Sequence, residues 1–96
     1  MMSAMTENSL SVPAYNSTIG VVAPTEGGTV TVEVVDGSVE ISGDAAGFRD
    51  LARMCLALAD PHVPDGAHIH LDAGVIPLDL GSASLMLARD RSPSTQ

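Results

Sequence analysis

The chain contains no lysine and no tryptophan, and its 96 residues include only one phenylalanine and one tyrosine. Four basic residues stand against twelve acidic ones, which leaves a formal net charge of −8. Nucleic acids and anionic membranes are bound through clustered cations, and single-stranded bases also stack on aromatic side chains. Because both residue types are scarce, we expect neither a nucleic acid nor a membrane as a partner. The charge favours a basic protein partner, a bound cation or simple solubility.

Cysteine is nearly absent as well. Cys55 stands alone, so no intramolecular disulfide can form, and the disulfide framework of many small secreted domains is excluded. The chain does not open on the charged segment and apolar core of a secretory signal, and no apolar run approaches the ~20 residues that cross a bilayer. The sequence therefore predicts a cytoplasmic protein.

Motifs for catalysis are also missing. The sequence has no phosphate-binding loop, no nucleophile elbow and no paired catalytic carboxylates. Cys55 falls on the apolar stripe of a predicted helix, so we expect a buried, unreactive thiol rather than a nucleophile. We expect neither enzymatic activity nor a cofactor.

The length allows one domain at most. Residues 1–18 are polar and without sustained periodicity, and they predict a disordered arm. Residues 19–89 predict the single folded domain, and residues 90–96 a disordered polar tail. A core of this size is marginal, and association of two copies is a common remedy.

A β-hairpin is the clearest local prediction. Residues 29–35 and 38–42 alternate apolar and polar side chains, which is the pattern of half-buried strands. Asp36 and Gly37 lie between them and form the strongest two-residue hairpin signal. The side chains expected to face the core are Val30, Val32, Val34, Val39 and Ile41.

One helix is predicted next, from about Ala45 to Ala59. Asp44 is a good N-cap and Pro61 prevents continuation of the helix. Gly47, in the first turn, is expected to let the helix approach the sheet closely. The stripe expected to be buried consists of Phe48, Leu51, Ala52, Cys55, Leu58 and Ala59. Residues expected to lie away from that stripe are Arg49, Asp50, Arg53 and Asp60.

Two further strands complete the predicted fold. Residues 67–73 alternate, with Ile69 and Leu71 on one face. A last strand starts at Ser82 or Ala83, ends at Arg89, and turns Leu85 and Leu87 inward. The order β-β-α-β-β predicts an α+β domain in which one helix packs on one face of an antiparallel four-stranded sheet.

The uncovered face of that sheet is the candidate site. Its predicted members include His68, His70, Asp72, Glu33 and Glu40. Two histidines at positions i and i+2 can converge on Zn, Ni or Fe, with Glu33 or Glu40 as a third ligand. The same side chains can instead form hydrogen bonds across an outer strand face. They can also form a contact face for a protein partner or a second copy, with histidines that make the contact sensitive to pH.

Several segments resemble one protein family. The segments that carry the resemblance are Ile41–Asp44, Gly47–Ala52, Leu58–Ala59, Gly66–Asp72, Gly81–Ser82 and Ser84–Leu87. They resemble the immunity protein 32 family, small bacterial proteins predicted to neutralise toxins of polymorphic-toxin systems. The resemblance covers about residues 39–89, and the His-x-His-Leu-Asp element is its most specific part. The chain departs from the family over its first 28 residues and in the apolar loop of residues 74–81.

The resemblance implies inhibition by binding, without catalysis. It carries over four positions as contact residues: His68, His70, Asp72 and, after the loop, Ser82. We therefore expect a small acidic protein that binds another protein, and its charge suits a basic toxin. The alternatives are a metal-binding protein that uses His68 and His70, and a homodimer. The homodimer would pair through an exposed strand edge or through residues 75–78.

Overall fold

A computed structural model describes residues 9–90. Residues 1–8 of the predicted arm and 91–96 of the predicted tail lie outside the described residues, and the domain boundaries stay predictions. The elements are β1 (Val30–Val35), β2 (Ser38–Gly43), α1 (Ala45–Ala59), β3 (His68–Leu71) and β4 (Leu85–Ala88). The α+β class and the order β-β-α-β-β are therefore confirmed, with β3 and β4 shorter than predicted.

The predicted hairpin is present. β1 and β2 pair antiparallel, and Val35 lies opposite Ser38 at the closed end. The two residues between them have positive φ angles, 48° for Asp36 and 79° for Gly37. Two such residues form the type I′ turn, whose twist matches that of the flanking strands.

The prediction of a single four-stranded sheet is wrong. The structure has two separate two-stranded antiparallel sheets, β1–β2 and β3–β4. The segment 77–83 occupies the edge of β1 where another strand would have paired. Val30 donates its N–H to the Pro77 carbonyl at 2.7 Å, and Ala83 donates its N–H to the Val32 carbonyl at 2.8 Å. Because this segment then continues into β4, the chain links the two sheets without merging them.

The helix has the predicted bounds. The Asp44 side chain accepts the Gly47 N–H at 2.6 Å, as an N-cap does. The close approach expected at Gly47 is also confirmed, because a Cβ there would meet the Thr29 carbonyl oxygen. Only a glycine allows the first turn of α1 to lie this near to the start of β1.

The buried side of α1 differs from the prediction. Its members are Gly47, Asp50, Met54, Ala57 and Leu58. Leu58 is buried and Leu51 packs against the core as predicted, whereas Phe48, Cys55 and Ala59 are exposed, so the predicted stripe is only partly right and the buried thiol is wrong. The cause is Asp50, which was expected to face solvent and is fully buried. Its carboxylate accepts the N–H groups of Glu26 at 2.7 Å and Gly28 at 2.9 Å.

The core explains why half of the hairpin is exposed. Its buried residues are Val30, Val32, Met54, Leu71 and Leu78, with Ile69, Leu85 and Leu87 packed against them. The predicted core positions Val34, Val39 and Ile41 are 67%, 65% and 41% exposed, so their assignment was wrong. Because α1 packs at the open end of the hairpin, beside Thr29 and Val30, the distal half extends beyond its cover.

An ionic cluster supports the segment before β1. Glu26 bonds to Arg49 at 2.8 Å and to Arg53 at 2.6 Å. Arg53 also contacts the buried Asp50 carboxylate at 3.1 Å. The hydrogen bonds from Arg49 and Arg53 lower the pKa of Glu26 to about 2.

Two more carboxylates hold the ends of α1. The backbone N–H groups of Thr29 and Gly47 lower the pKa of Asp44. At the other end, the backbone N–H groups of His62 and Tyr15 lower the pKa of Asp60. Each carboxylate therefore joins the helix terminus to another part of the chain.

Removal of the Asp50 carboxylate should destabilise the fold. Asp50→Ala leaves two backbone donors and Arg53 without their buried acceptor, a change expected to lower the free energy of unfolding by about 3–5 kcal/mol. Urea denaturation measures this change. Glu40→Ala, which truncates an exposed carboxylate, is the control and should change stability by only about 0.5 kcal/mol or less. Equal midpoints for the two variants would contradict the role assigned to Asp50.

Acid should weaken the fold through Glu26, Asp44 and Asp60. Their pKa values are lower in the folded than in the unfolded chain, so their ionised forms stabilise the fold at neutral pH. That contribution should be lost as the pH falls from about 4.5 towards about 2. Denaturation across this range should show a falling free energy of unfolding, with a shallower slope for Glu26→Gln. An unchanged slope for that variant would contradict the contribution of Glu26.

Candidate functional site

The β3 strand carries the two histidines on its exposed face. His68 and His70 are exposed, whereas Ile69 is half-buried and Leu71 is buried. This is the alternation predicted from the sequence, and it follows from the two-residue period of a strand. β4 pairs antiparallel with β3 and places Met86 opposite His70.

Asp72 lies beside His70 just after the strand. The distance from His70 Nε2 to Asp72 Oδ1 is 3.3 Å, and both side chains are at least half exposed. Ser84 donates its hydroxyl to the same carboxylate oxygen at 3.2 Å. The carboxylate therefore lies between the imidazole and the hydroxyl, whereas in a serine–histidine nucleophile pair the imidazole is bonded directly to the hydroxyl. The cluster presents polar groups at the surface without that serine–histidine contact.

Glu33 and Glu40 lie on the other sheet. They are directly opposite each other in the β1–β2 register, and both are exposed. Neither carboxylate has an ion-pair or hydrogen-bond partner within residues 9–90. The structure thus brings His70 and Asp72 into contact, with His68 on the same exposed strand face, but Glu33 and Glu40 are on the other sheet. The continuous polar face expected of a four-stranded sheet does not form.

Ser82 is placed differently from the other predicted contact residues. It is buried, and its hydroxyl accepts the Val32 N–H at 2.8 Å. The same hydroxyl donates to the Ala83 carbonyl at 2.7 Å. Ser82 therefore joins the 77–83 segment to β1, and its role in contact stays a prediction.

The metal alternative depends on a third ligand near the histidines. Within residues 9–90, no three or more His, Cys, Asp or Glu side chains are grouped closely enough to hold a metal ion. Glu33 and Glu40, the proposed third ligands, are in the other sheet.

The helix described for this chain is too short and too polar to cross a membrane.

Sequence patterning missed two exposed apolar features. The first is the distal hairpin, where Val34, Val39 and Ile41 face solvent. The second is a groove beside Cys55, between the end of α1 and β4. These residues recur at the spacing typical of buried strand and helix positions, so periodicity alone does not distinguish them from the core.

The comparisons with known proteins identify the family. A family model described as Immunity protein 32 matches residues 38–90, which is more than half of the chain. This chain belongs to the immunity protein 32 family. The comparison with curated proteins and the comparison with solved structures each found no significant match. The resemblance drawn from the sequence is therefore confirmed.

The family segment includes most of the elements described above. It begins at the first residue of β2 and continues past the last residue of β4. It contains the exposed histidines and Ser82, whereas β1 and the backbone donors to Asp50 precede it. This immunity protein 32 family member thus completes its core with residues outside the matched segment.

Loss of the Ser82 hydroxyl should loosen the connection between β1 and the 77–83 segment. Ser82→Ala leaves the buried Val32 N–H without its acceptor, which should lower the free energy of unfolding by about 1–3 kcal/mol. Ser84→Ala removes an exposed hydroxyl and serves as the matched control, with an expected change of about 0.5 kcal/mol or less. Thermal or urea denaturation distinguishes them, and equal stability of the two variants would contradict the internal role of Ser82.

Proposed function

We propose that this chain is an immunity protein that neutralises a bacterial toxin by direct binding, without catalysis. The observation that carries the proposal is its membership of the immunity protein 32 family. The exposed side chains of β3 and of the hairpin support it, because they offer contact surfaces, and the β3 cluster does not have the direct serine–histidine contact of an activated nucleophile. The cytoplasmic location expected from the sequence is part of this proposal.

The distribution of charge supports a basic toxin as the partner. The guanidinium groups of Arg49 and Arg53 bond to Glu26. Arg89 donates to the carbonyls of Leu58 at 2.6 Å and Asp60 at 3.0 Å. Each arginine within residues 9–90 is therefore engaged inside the molecule, while the chain as a whole has a net charge of −8. An acidic surface attracts a basic partner and speeds their encounter.

The proposed contact residues form two exposed sets. His68, His70 and Asp72 lie on the β3 side, and Glu33 and Glu40 lie on the hairpin. Ser82 lies beneath the surface and supports the edge of β1. A toxin that contacts either set would meet side chains that the fold does not bury.

Co-expression tests the proposal directly. A candidate toxin domain, chosen from the genes that neighbour the gene of this chain, is expressed in a bacterial host with and without this chain. We expect this chain to restore growth and to co-purify with the toxin domain. An unrelated acidic protein of similar size and charge is the control and should not protect. Growth arrest that persists at matched expression levels, without a complex, would overturn the proposal.

The association rate with that toxin should depend on salt. Steering between opposite charges raises association rates, on the order of tenfold or more at low ionic strength, and salt screens it. We therefore expect stopped-flow association to slow steeply as sodium chloride is added, while dissociation changes less. An association rate that is independent of salt would contradict a basic toxin surface.

A further inference from the structure

The outer edge of β2 is open. β1 is the one strand that pairs with β2 in the described part of the chain, and all six β2 residues are exposed. The opposite edge of the hairpin is occupied over its first half, because the 77–83 segment bonds to Val30 and Val32 of β1. The β1 edge is therefore covered as far as Val32, whereas the β2 edge is available along its full length for another strand.

The backbone groups that face this open edge follow from the register. A two-residue turn makes Val35 and Ser38 a hydrogen-bonded pair, and bonded and non-bonded pairs then alternate along the strands. The pairs of β2 residues Val39 and Ile41 with β1 are of the non-bonded kind, so their N–H and C=O groups point away from β1. Val32 is paired with Ile41, so its backbone groups also point away from the partner strand, and they bond to the 77–83 segment.

The side chains along the open edge differ between the two faces of the hairpin. Val34, Val39 and Ile41 form an exposed apolar face. Glu33 and Glu40 lie on the opposite face, directly across from each other. Like charges in directly opposed positions destabilise a strand pair, and a cation from a partner would relieve that repulsion.

The charge also decides which partner fits this edge. In a pair of copies joined through β2, two strands that each carry Glu40 would lie side by side, in molecules that each have a net charge of −8. Exposed edges are usually protected by lysine, proline or a bulge, but β2 contains no lysine and no proline and pairs with β1 without a bulge. Its single charge disfavours a second copy and favours a basic strand.

We propose that the β2 edge binds an extended segment of the toxin as an added strand. The segment would form backbone hydrogen bonds with Val39 and Ile41, as in other cases of strand addition. Its apolar side chains would pack beside Val39 and Ile41, and its lysine or arginine side chains would lie beside Glu40, with Glu33 one strand further away. This proposal rests on the proposed function and specifies the surface and the chemistry of the partner.

A synthetic peptide tests the edge without the toxin. The probe alternates lysine and valine and is long enough to span the six residues of β2. Titration at millimolar peptide into the full chain, followed by amide NMR, should shift and protect the N–H groups of Val39 and Ile41. A peptide with glutamate in place of lysine is the control and should leave these signals unchanged. Equal responses to the two peptides, or no response to either, would overturn the proposal.

Two variant pairs separate the backbone from the charge contribution. Val39→Pro and Val39→Ala both remove the valine side chain, but only the proline removes the outward N–H, so the proline variant should bind the peptide about tenfold more weakly than the alanine variant. Glu40→Gln should weaken binding more than Asp36→Asn, which removes the same charge at the turn. Circular dichroism confirms that each variant is folded. Equal affinities within either pair would overturn the corresponding contact.

The toxin complex distinguishes failure of this inference from failure of the proposed function. If the candidate toxin domain binds and is neutralised but the Val39 and Ile41 amides exchange as fast as in the free chain, the edge proposal is overturned and the proposed function stands. If no toxin complex forms while the lysine peptide binds as expected, the proposed function fails and the edge remains a strand-binding surface. Sedimentation in which the wild type dimerises and Val39→Pro does not would assign the edge to a second copy instead.

Discussion

The buried carboxylate of Asp50 is the interaction on which the rest of the structure depends. A charge without solvent must be bonded on all sides, and this one takes the backbone N–H groups of Glu26 and Gly28 together with Arg53. These bonds fix the rotation of α1 and hold the chain before β1 against it. Gly47 then lies against Thr29, so β1 starts directly beneath the first turn of the helix.

The exposed surface follows from that placement. The core forms at the open end of the hairpin around Val30 and Val32, and the turn end extends beyond it. The 77–83 segment occupies the free edge of β1, which separates the second sheet and leaves β2 as an edge. A protein that acts by contact needs accessible and specific surfaces, and this arrangement provides two: the β3 face and the distal hairpin.

Sequence patterning correctly predicted the features that depend on residues close together in the chain. The turn at Asp36 and Gly37, the N-cap at Asp44 and the alternation of His68 and His70 each depend on neighbouring residues. The rotation of α1 was missed because its acceptor bonds reach donors 22 and 24 residues earlier, while an equally apolar stripe lies on the exposed side. The sheet was divided by loop hydrogen bonds, including those of Ser82, which leave no periodic signal.

The exposed contact residues on β3 and those on the hairpin differ in how many hydrogen-bond and ion-pair partners the fold gives them. On the second sheet, Asp72 already has partners in His70 and Ser84. On the hairpin, two glutamates that have no ion-pair or hydrogen-bond partner within residues 9–90 oppose each other on one face, and valines face solvent on the other. Both features weaken an isolated hairpin, because like charges repel and apolar side chains stay hydrated. A basic strand added at the adjacent open edge would relieve both at once, so a single partner accounts for features that folding alone does not favour.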